Sequence, residues 1–361
     1  MDEPSCHVTY DIEADRLTLY IPPINPRRVI WNGRGSTVDE AYDKYDVDDV
    51  LFSSEVQDAV HSWMQQHQGD VYILHPGQAM SPGDDKSPRV NYTKLHKAAD
   101  ECRVIKDSHE IGLIKKANEI TARAHREVLR KIRGFKNEAQ VEARFLDVCI
   151  SKDAKHQAYE IIAASGENAS TLHYVKNDEP LLDRQLMCLD AGCEWQNYAS
   201  DVTRTFPLSG SWPSKEAKDI HDLVQHVQNV CIEQLRPGTR FLEVHMLAHK
   251  KIVDGLLKLG ILHDGTAEEI LKAGTSLAFF PHGLGHHMGL EVHDVSGVPV
   301  HTALTNPAYI DQYHSSLIES ESFEAPVNLR SGRLREGMVV TVEPGMYVLH
   351  TASCCSAPTL I

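Results

Sequence analysis

The sequence has 361 residues and a formal net charge of −15 at pH 7, and this length is sufficient for two domains with a buried core. The excess of acidic side chains argues against nucleic acid or an anionic membrane surface as a partner, and no apolar run approaches the ~20 residues that span a bilayer. No signal peptide opens the chain, and the eight cysteines show neither CxxC nor paired spacing, so we expect free thiols in a cytoplasmic protein.

The first hundred residues predict a small α/β domain. Short apolar, β-branched runs predict strands, and an amphipathic segment predicts one helix. The predicted strands are 16–22, 29–31, 49–52 and 71–74, and the predicted helix is 56–67. A polar connector follows at 86–91. We assign residues 1–100 to this domain and residues 101–361 to a second one.

The second domain is predicted to begin with two helices that cover a sheet. Apolar residues at three-to-four spacing predict a helix over Ser108–Lys131, with Glu110 in its first turn. Further elements follow in order: a helix at 137–151, a buried strand at 159–164, a glycine turn at 165–166, and helices at 214–235 and 241–259. The polar loop 306–328 has no function that the sequence indicates.

Two aspartates lie at the ends of the two short strands of a predicted hairpin. An apolar run leads to Asp190, a polar turn follows, and a second short run precedes Asp201. If the hairpin is centred between Trp195 and Gln196, the two carboxylates face each other, and directly opposed like charges are destabilising. A cation between them would remove this repulsion. The alternative is a pair of surface aspartates near a turn.

Polar residues further along the chain favour the interpretation that a cation lies between the two aspartates. Four histidines and three glycines lie between positions 282 and 293, a composition that is poor for a helix because each interior glycine costs about 1 kcal/mol. A β-branched strand then ends at Glu343, directly before a Pro-Gly turn. Aspartate, histidine and glutamate at the ends of apolar strands together indicate a carboxylate-rich metal centre, although a His-rich loop is also compatible with a solvated surface.

The order of these motifs resembles a known family. D-x-G, D-x-T-R, H-G-x-G-H, V-H-D and T-V-E-P-G begin at positions 190, 201, 282, 292 and 341. This series is similar to the "pita-bread" dinuclear metallopeptidases, and most similar to their Xaa-Pro aminopeptidase and prolidase branch. The upstream S-G-E-N-A at 165 and L-H-Y at 172 also match that branch. The resemblance runs from about Asp11 to Tyr347 and implies an α/β (α+β) pita-bread catalytic domain, preceded by an N-terminal α/β domain that is only partial.

The resemblance also implies a set of site residues. The implied ligands of two Mn²⁺ ions are Asp190, Asp201, His286 and Glu343, with Asp201 bridging the ions. The implied catalytic and substrate-contacting residues are His293, His282 and His173, together with Glu343 as a proton carrier and Arg330 as a partner for a dipeptide carboxylate. Oxygen-rich ligands with a single imidazole suit Mn²⁺.

The implied activity is hydrolysis of the bond before proline in peptides. Proline lacks the N–H that peptidases use to hold an extended substrate, so the carbonyl must be strongly polarised, and two metal ions can do this. Three functions remain open: an Xaa-Pro aminopeptidase that releases the N-terminal residue, a prolidase that acts on Xaa-Pro dipeptides, or a non-catalytic pita-bread protein. The resemblance leaves a homodimer open.

The last residues depart from the family pattern. The family has a fifth ligand, a bridging glutamate after T-V-E-P-G, whereas residues 348–361 contain no acidic side chain. We therefore expect a chain that is truncated at both ends. The second ion would be held poorly, and activity of residues 1–361 would be feeble until a relative's C-terminal segment is supplied.

Overall fold

The computed structural model describes residues 5–78, 87–295, 314–317, 326–327 and 332–347. The chain divides into two compact units, Met1–Ala99 and Asp100–Ile361. The helix α4 (Leu95–Val104) contains the boundary between them. Within the described residues, no helix is both long and apolar enough to cross a bilayer, and the six described cysteines are free thiols.

The first unit contains a three-stranded mixed sheet, a two-stranded parallel sheet and short helices. Its elements are β1 (His7–Asp11), β2 (Arg16–Ile21), α1 (Pro26–Asn32), α2 (Val38–Lys44), β3 (Asp49–Phe52), α3 (Val56–Gln66), β4 (Val71–Tyr72) and β5 (Val90–Asn91). The strand order is β1-β2-β3, with β1 antiparallel and β3 parallel to β2, and β4 pairs in parallel with β5. Its core contains Leu19, Ile21, Ala41 and Val50.

One predicted strand in this unit is wrong. Residues 29–31 lie in α1, because Asn25 caps the helix by accepting a hydrogen bond from the Arg27 N–H at 3.1 Å and Pro26 occupies the first turn. Proline at this position is pre-organised for a helix and gives up only an N–H that would be unpaired there. These local start signals outweigh the β-branched residues that favoured a strand.

The second unit carries its elements in two groups. The first group is α5 (Ser108–Lys131), α6 (Glu138–Ile150), β6 (Ile162–Ser165), β7 (Leu186–Asp190) and β8 (Thr203–Pro207), and the second is α7 (Lys215–Glu233), α8 (Phe241–Lys258) and α9 (Ala267–Lys272). The helix α5 has the predicted bounds, since Asp107 and Glu110 form a reciprocal capping box at its start. The three strands form an antiparallel sheet in the order β6-β7-β8.

Each group has its own hydrophobic core. Phe145, Val141 and Met187 are fully buried between α5, α6 and the sheet. Phe241 and Phe280 are fully buried in the second core, against which Val340 and Val342 also pack. The two cores hold the strand ends and loops that carry the polar residues.

The segment 338–342, predicted as a strand, forms an isolated antiparallel bridge instead. His287 pairs with Val340, and on one side of this bridge N–H groups donate from Thr341 to the His286 carbonyl at 2.9 Å and from Glu343 to the Leu284 carbonyl at 2.8 Å. This pairing brings the His-rich stretch and the glutamate together.

Candidate metal centre

The hairpin that carries the two aspartates has a different register from the predicted one. Asp190 pairs with Thr203 rather than with Asp201, because the turn is centred between Gln196 and Asn197. Both turn residues have left-handed φ values, 49° and 68°, as a type I′ hairpin turn requires. The expected direct opposition of the aspartates is therefore wrong. Displacement by two residues nevertheless keeps both side chains on one face of the hairpin.

Two glycines allow the backbone segments that carry the site to approach closely. A Cβ at Gly192 would lie 1.7 Å from the Ser200 carbonyl oxygen, and a Cβ at Gly285 would lie 2.2 Å from that of Thr341. Any larger residue would push these backbones apart. Glycine is therefore required for steric reasons at these positions of the D-x-G and H-G-x-G-H motifs.

The two aspartates share one hydroxyl group. The Tyr159 hydroxyl lies 2.5 Å from Asp190 Oδ1 and 2.9 Å from Asp201 Oδ1. Burial, followed by the charge of Asp201, raises the pKa of Asp190 to about 6. Burial and the two carboxylates also raise the pKa of Tyr159. Two carboxylates on a single donor form a site of excess negative charge, which a cation would stabilise.

His286 points one nitrogen at two carboxylates. Its Nδ1 lies 3.0 Å from the His287 carbonyl oxygen, and its Nε2 lies 3.3 Å from Asp201 Oδ2 and 3.0 Å from Glu343 Oε1. Burial lowers the pKa of His286, but the hydrogen bonds to Asp201 and Glu343 outweigh it and raise the pKa to about 10. A cation at this place would displace the Nε2 proton, and the ring, fixed by its Nδ1–H donating to a carbonyl, would then present its Nε2 lone pair as metal-binding histidines do.

These contacts define one cluster of metal-type ligands. One ligand atom from each of Asp201, His286 and Glu343 lies within 4.8 Å of the other two. In the part of the chain that the structure describes, Asp190 is outside this cluster and is connected to it through Tyr159. Two acidic oxygens and one imidazole nitrogen at this spacing fit a divalent cation.

A second group of residues surrounds His282. Its Nδ1 lies 2.8 Å from the Gly283 carbonyl oxygen and its Nε2 lies 3.1 Å from the Tyr347 hydroxyl. Burial lowers the pKa of His282, and the charge of His173 acts in the same direction. His173 lies in the loop between β6 and β7 and is exposed.

His293 lies beside the cluster. Its ring centroid is 4.1 Å from that of His286. The neighbouring Asp294 is buried and accepts hydrogen bonds from Lys106 Nζ at 2.8 Å and Arg103 at 2.7 Å. Its N–H also donates to the His287 carbonyl at 3.1 Å. This ion group anchors the loop that presents His293.

Two sequence predictions fall outside the described residues. They are Arg330 and the segment 348–361, which lacks the acidic residue that the family pattern implies.

Sequence reasoning missed three residues that shape the site. Tyr159 was assigned to an apolar strand, although its hydroxyl signals a polar partner. Thr341 was also missed: its oxygen accepts from the His286 N–H at 2.9 Å, and its hydroxyl donates to Glu343 at 2.6 Å. Lys106 gives no local signal, because its partner lies 188 residues away.

Comparisons with known proteins identify the family. A model of metallopeptidase family M24 matches residues 112–355. The chain belongs to metallopeptidase family M24. A model of the aminopeptidase P N-terminal domain matches residues 1–72 of this M24 chain.

Relatives and solved structures agree with this assignment. The M24 chain is 56% identical over 356 residues to a "Probable Xaa-Pro aminopeptidase" of Pyrenophora tritici-repentis (strain Pt-1C-BFP), covering 96% of this chain and 54% of that protein. It is 48% identical over 359 residues to one of Uncinocarpus reesii (strain UAMH 1704), covering 97% and 83%. It thus spans about half the length of the first relative and most of the second.

The low-pH form of aminopeptidase P from E. coli matches with a TM-score of 0.80 and 30% identity, covering 98% of this chain and 77% of that one. The predicted family resemblance and the pita-bread fold with a preceding N-terminal domain are confirmed. Membership of a metallopeptidase family, together with the Asp201, His286 and Glu343 cluster, indicates metal dependence.

Proposed function

We propose that this M24 protein is a metal-dependent exopeptidase that releases the N-terminal residue next to a penultimate proline. The observation that carries the proposal is the convergence of Asp201, His286 and Glu343 to within 4.8 Å. The names of the relatives, Xaa-Pro aminopeptidases, favour the aminopeptidase over the prolidase.

Asp201, His286 and Glu343 would hold the first cation, and Asp190 would help to hold a second cation. A divalent cation here would polarise a carbonyl oxygen and lower the pKa of a water molecule. The oxygen-rich donor set with one imidazole supports Mn²⁺. The Thr341 hydroxyl, which donates to Glu343 at 2.6 Å, orients the carboxylate that would carry a proton to the leaving nitrogen.

The histidines around the cluster would bind the substrate. His282 and His293 would donate hydrogen bonds to the scissile carbonyl as negative charge develops on its oxygen, and His173 would contact the peptide. In the described structure Nδ1 of His282 contacts a carbonyl oxygen and Nε2 contacts the Tyr347 hydroxyl. A substrate carbonyl would therefore replace Tyr347 at Nε2. Because a neutral imidazole has one N–H, this exchange requires that the proton sit on Nε2 and that Nδ1 give up its hydrogen bond to the Gly283 carbonyl.

The remaining assignments are proposals of the same kind. We place the boundary of the catalytic domain near residue 100, where the second compact unit begins. The free thiols of the six described cysteines support a reducing, cytoplasmic location. Proline-containing peptides are the proposed partners, and a homodimer remains compatible with the proposal.

The test is metal counting combined with product analysis. The purified chain is stripped with a chelator, reloaded with Mn²⁺, and assayed on an Xaa-Pro-Xaa tripeptide and an Xaa-Pro dipeptide. We expect bound metal and release of the N-terminal amino acid from the tripeptide, slowly for residues 1–361 and faster when a relative's C-terminal segment replaces residues 348–361. Asp153→Asn, which changes an exposed turn aspartate, serves as a control for purification and assay.

Preference for the dipeptide would indicate a prolidase instead. Absence of both bound metal and cleavage would contradict the proposed function.

A further inference from the structure

The stretch S-G-E-N-A at 165–169 and the L-H-Y at 172–174 have polar side chains that the metal cluster does not use. Their partner is Glu138. Its Oε1 accepts hydrogen bonds from the Ser165 N–H at 2.8 Å, the Ser165 hydroxyl at 2.6 Å and the Asn168 amide at 3.0 Å. Its Oε2 accepts from the Tyr174 hydroxyl at 2.7 Å and the Glu179 N–H at 3.1 Å.

Glu138 is fully buried, with 0% of its surface exposed. All five of these donors are neutral groups. A buried carboxylate is costly unless it is well hydrogen-bonded, and several donors to the charged form compensate for that cost. Glu138 is also the first residue of α6, where the positive end of the helix dipole favours an anion. The carboxylate is therefore a stable, charged centre around which the loop is arranged.

The donors lie on both sides of His173. Ser165 and Asn168 precede it, and Tyr174 and Glu179 follow it. The far end of the loop is fixed separately, because the buried Asn177 accepts from the Ala163 N–H at 2.9 Å and donates to the Ile161 carbonyl at 2.7 Å. The backbone on either side of His173 is thus held, while its imidazole is exposed.

We propose that Glu138 is a positioning residue that holds His173 in place by gathering the loop 165–179 on one buried carboxylate. This inference rests on the proposed function, in which His173 contacts the peptide. Glu138 itself touches neither substrate nor metal. It acts through the loop, so its removal should misplace His173 while leaving the ligands of the cation in position.

The experiment uses two substitutions in two backgrounds. Glu138→Gln turns one acceptor oxygen into an NH₂ group that faces N–H or O–H donors, and Tyr174→Phe removes a single donor next to His173. Each is made in the unaltered chain and in His173→Ala. The matched control is Asp147→Asn, which makes the same acid-to-amide change on an exposed residue of α6.

In the unaltered chain we expect kcat/KM to fall about 10²-fold for Glu138→Gln, as a misplaced group can cause, and about tenfold for Tyr174→Phe. In the His173→Ala background both losses should disappear, and the Mn²⁺ content should be unchanged throughout. If Glu138→Gln fails to fold, Tyr174→Phe carries the same comparison. Equal losses in the two backgrounds would show a merely structural role and overturn the proposal.

An NMR measurement that does not depend on catalysis tests the positioning role separately from the proposed function. The imidazole NMR signal of His173 is recorded in the metal-free protein. We expect it to shift or broaden in Glu138→Gln and Tyr174→Phe but not in Asp147→Asn, while the His293 signal stays unchanged. An unmoved His173 signal in both variants would overturn the positioning role, even if the protein cleaves no peptide at all.

Discussion

Replacement of Lys106 by methionine should destabilise the site-bearing unit by a predictable amount. Lys106 Nζ lies 2.8 Å from Asp294 Oδ2, and both side chains are only 1% exposed. Arg103 also contacts Asp294, at 2.7 Å, but its side chain is 28% exposed. Leaving a buried charge without any partner costs about 3–5 kcal/mol.

Because Arg103 still pairs with Asp294 in the Lys106→Met variant, we expect a smaller loss. Hydrogen bonds to charged groups contribute about 1.5–3 kcal/mol. A loss of 1 kcal/mol lowers the melting temperature by about 2–4 °C in chains of 150–250 residues, so the expected decrease is about 3–12 °C.

Thermal unfolding followed by circular dichroism at neutral pH measures this decrease. The matched control is Lys116→Met, which removes an exposed pair with Glu119 on α5 and should cost less than about 0.5 kcal/mol. Equal melting temperatures for Lys106→Met and Lys116→Met would refute the reasoning.

The pH dependence of the stability difference between the unaltered chain and Lys106→Met supplies a second check. Burial raises the pKa of Asp294, but the hydrogen bonds from Lys106 and Arg103 outweigh it, so the folded pKa is lowered. A lowered folded pKa means that the contribution to stability is complete above the unfolded value of about 3.9. It is lost as the pH falls through the folded pKa. The difference between the unaltered chain and Lys106→Met should therefore shrink below about pH 4.

The remaining predictions concern the cluster. Asp201→Asn should abolish Mn²⁺-dependent turnover and leave the circular dichroism spectrum unchanged, since the apolar packing around the hairpin is untouched; normal hydrolysis by this variant would exclude Asp201 as a ligand. His286→Ala should lower the metal content, whereas His293→Ala should preserve it and lower kcat by an amount equivalent to ~2.7–4 kcal/mol; equal metal loss would mean that the two roles are wrongly assigned. Tyr159→Phe removes the donor that Asp190 and Asp201 share, so it should lower the melting temperature more in metal-free protein than in Mn²⁺-loaded protein. The same decrease in both forms would contradict this reading.

Local features of the chain were sufficient to predict several elements. The helix Ser108–Lys131 has the predicted bounds because its apolar spacing and its capping box both lie within the segment itself. The residues 29–31 show the limit of this reasoning: their β-branched character favoured a strand, while the cap at Asn25 and the proline after it decided for a helix.

The motif order was sufficient to name the family and the residues that meet at the cluster. Asp201, His286 and Glu343 converge as the resemblance implied, although their metal roles stay predictions. The register of the hairpin was predicted wrongly, because the turn position depends on which residues adopt left-handed φ, and Gln196 and Asn197 carry no glycine signal. The wrong register did not change the prediction for the site, since a displacement by two residues leaves both aspartates on the same face of the hairpin.

The residues that support the site became visible only in the tertiary structure. Tyr159 meets Asp190 and Asp201 over separations of 31 and 42 residues, and Lys106 meets Asp294 over 188 residues. Hydrophobic periodicity reports which face of an element is buried, and a motif reports which residue types recur together. Neither reports which distant polar atoms lie within hydrogen-bond distance of each other. The packing of the two cores of the second unit decides this, because it sets where the strand ends and loops lie.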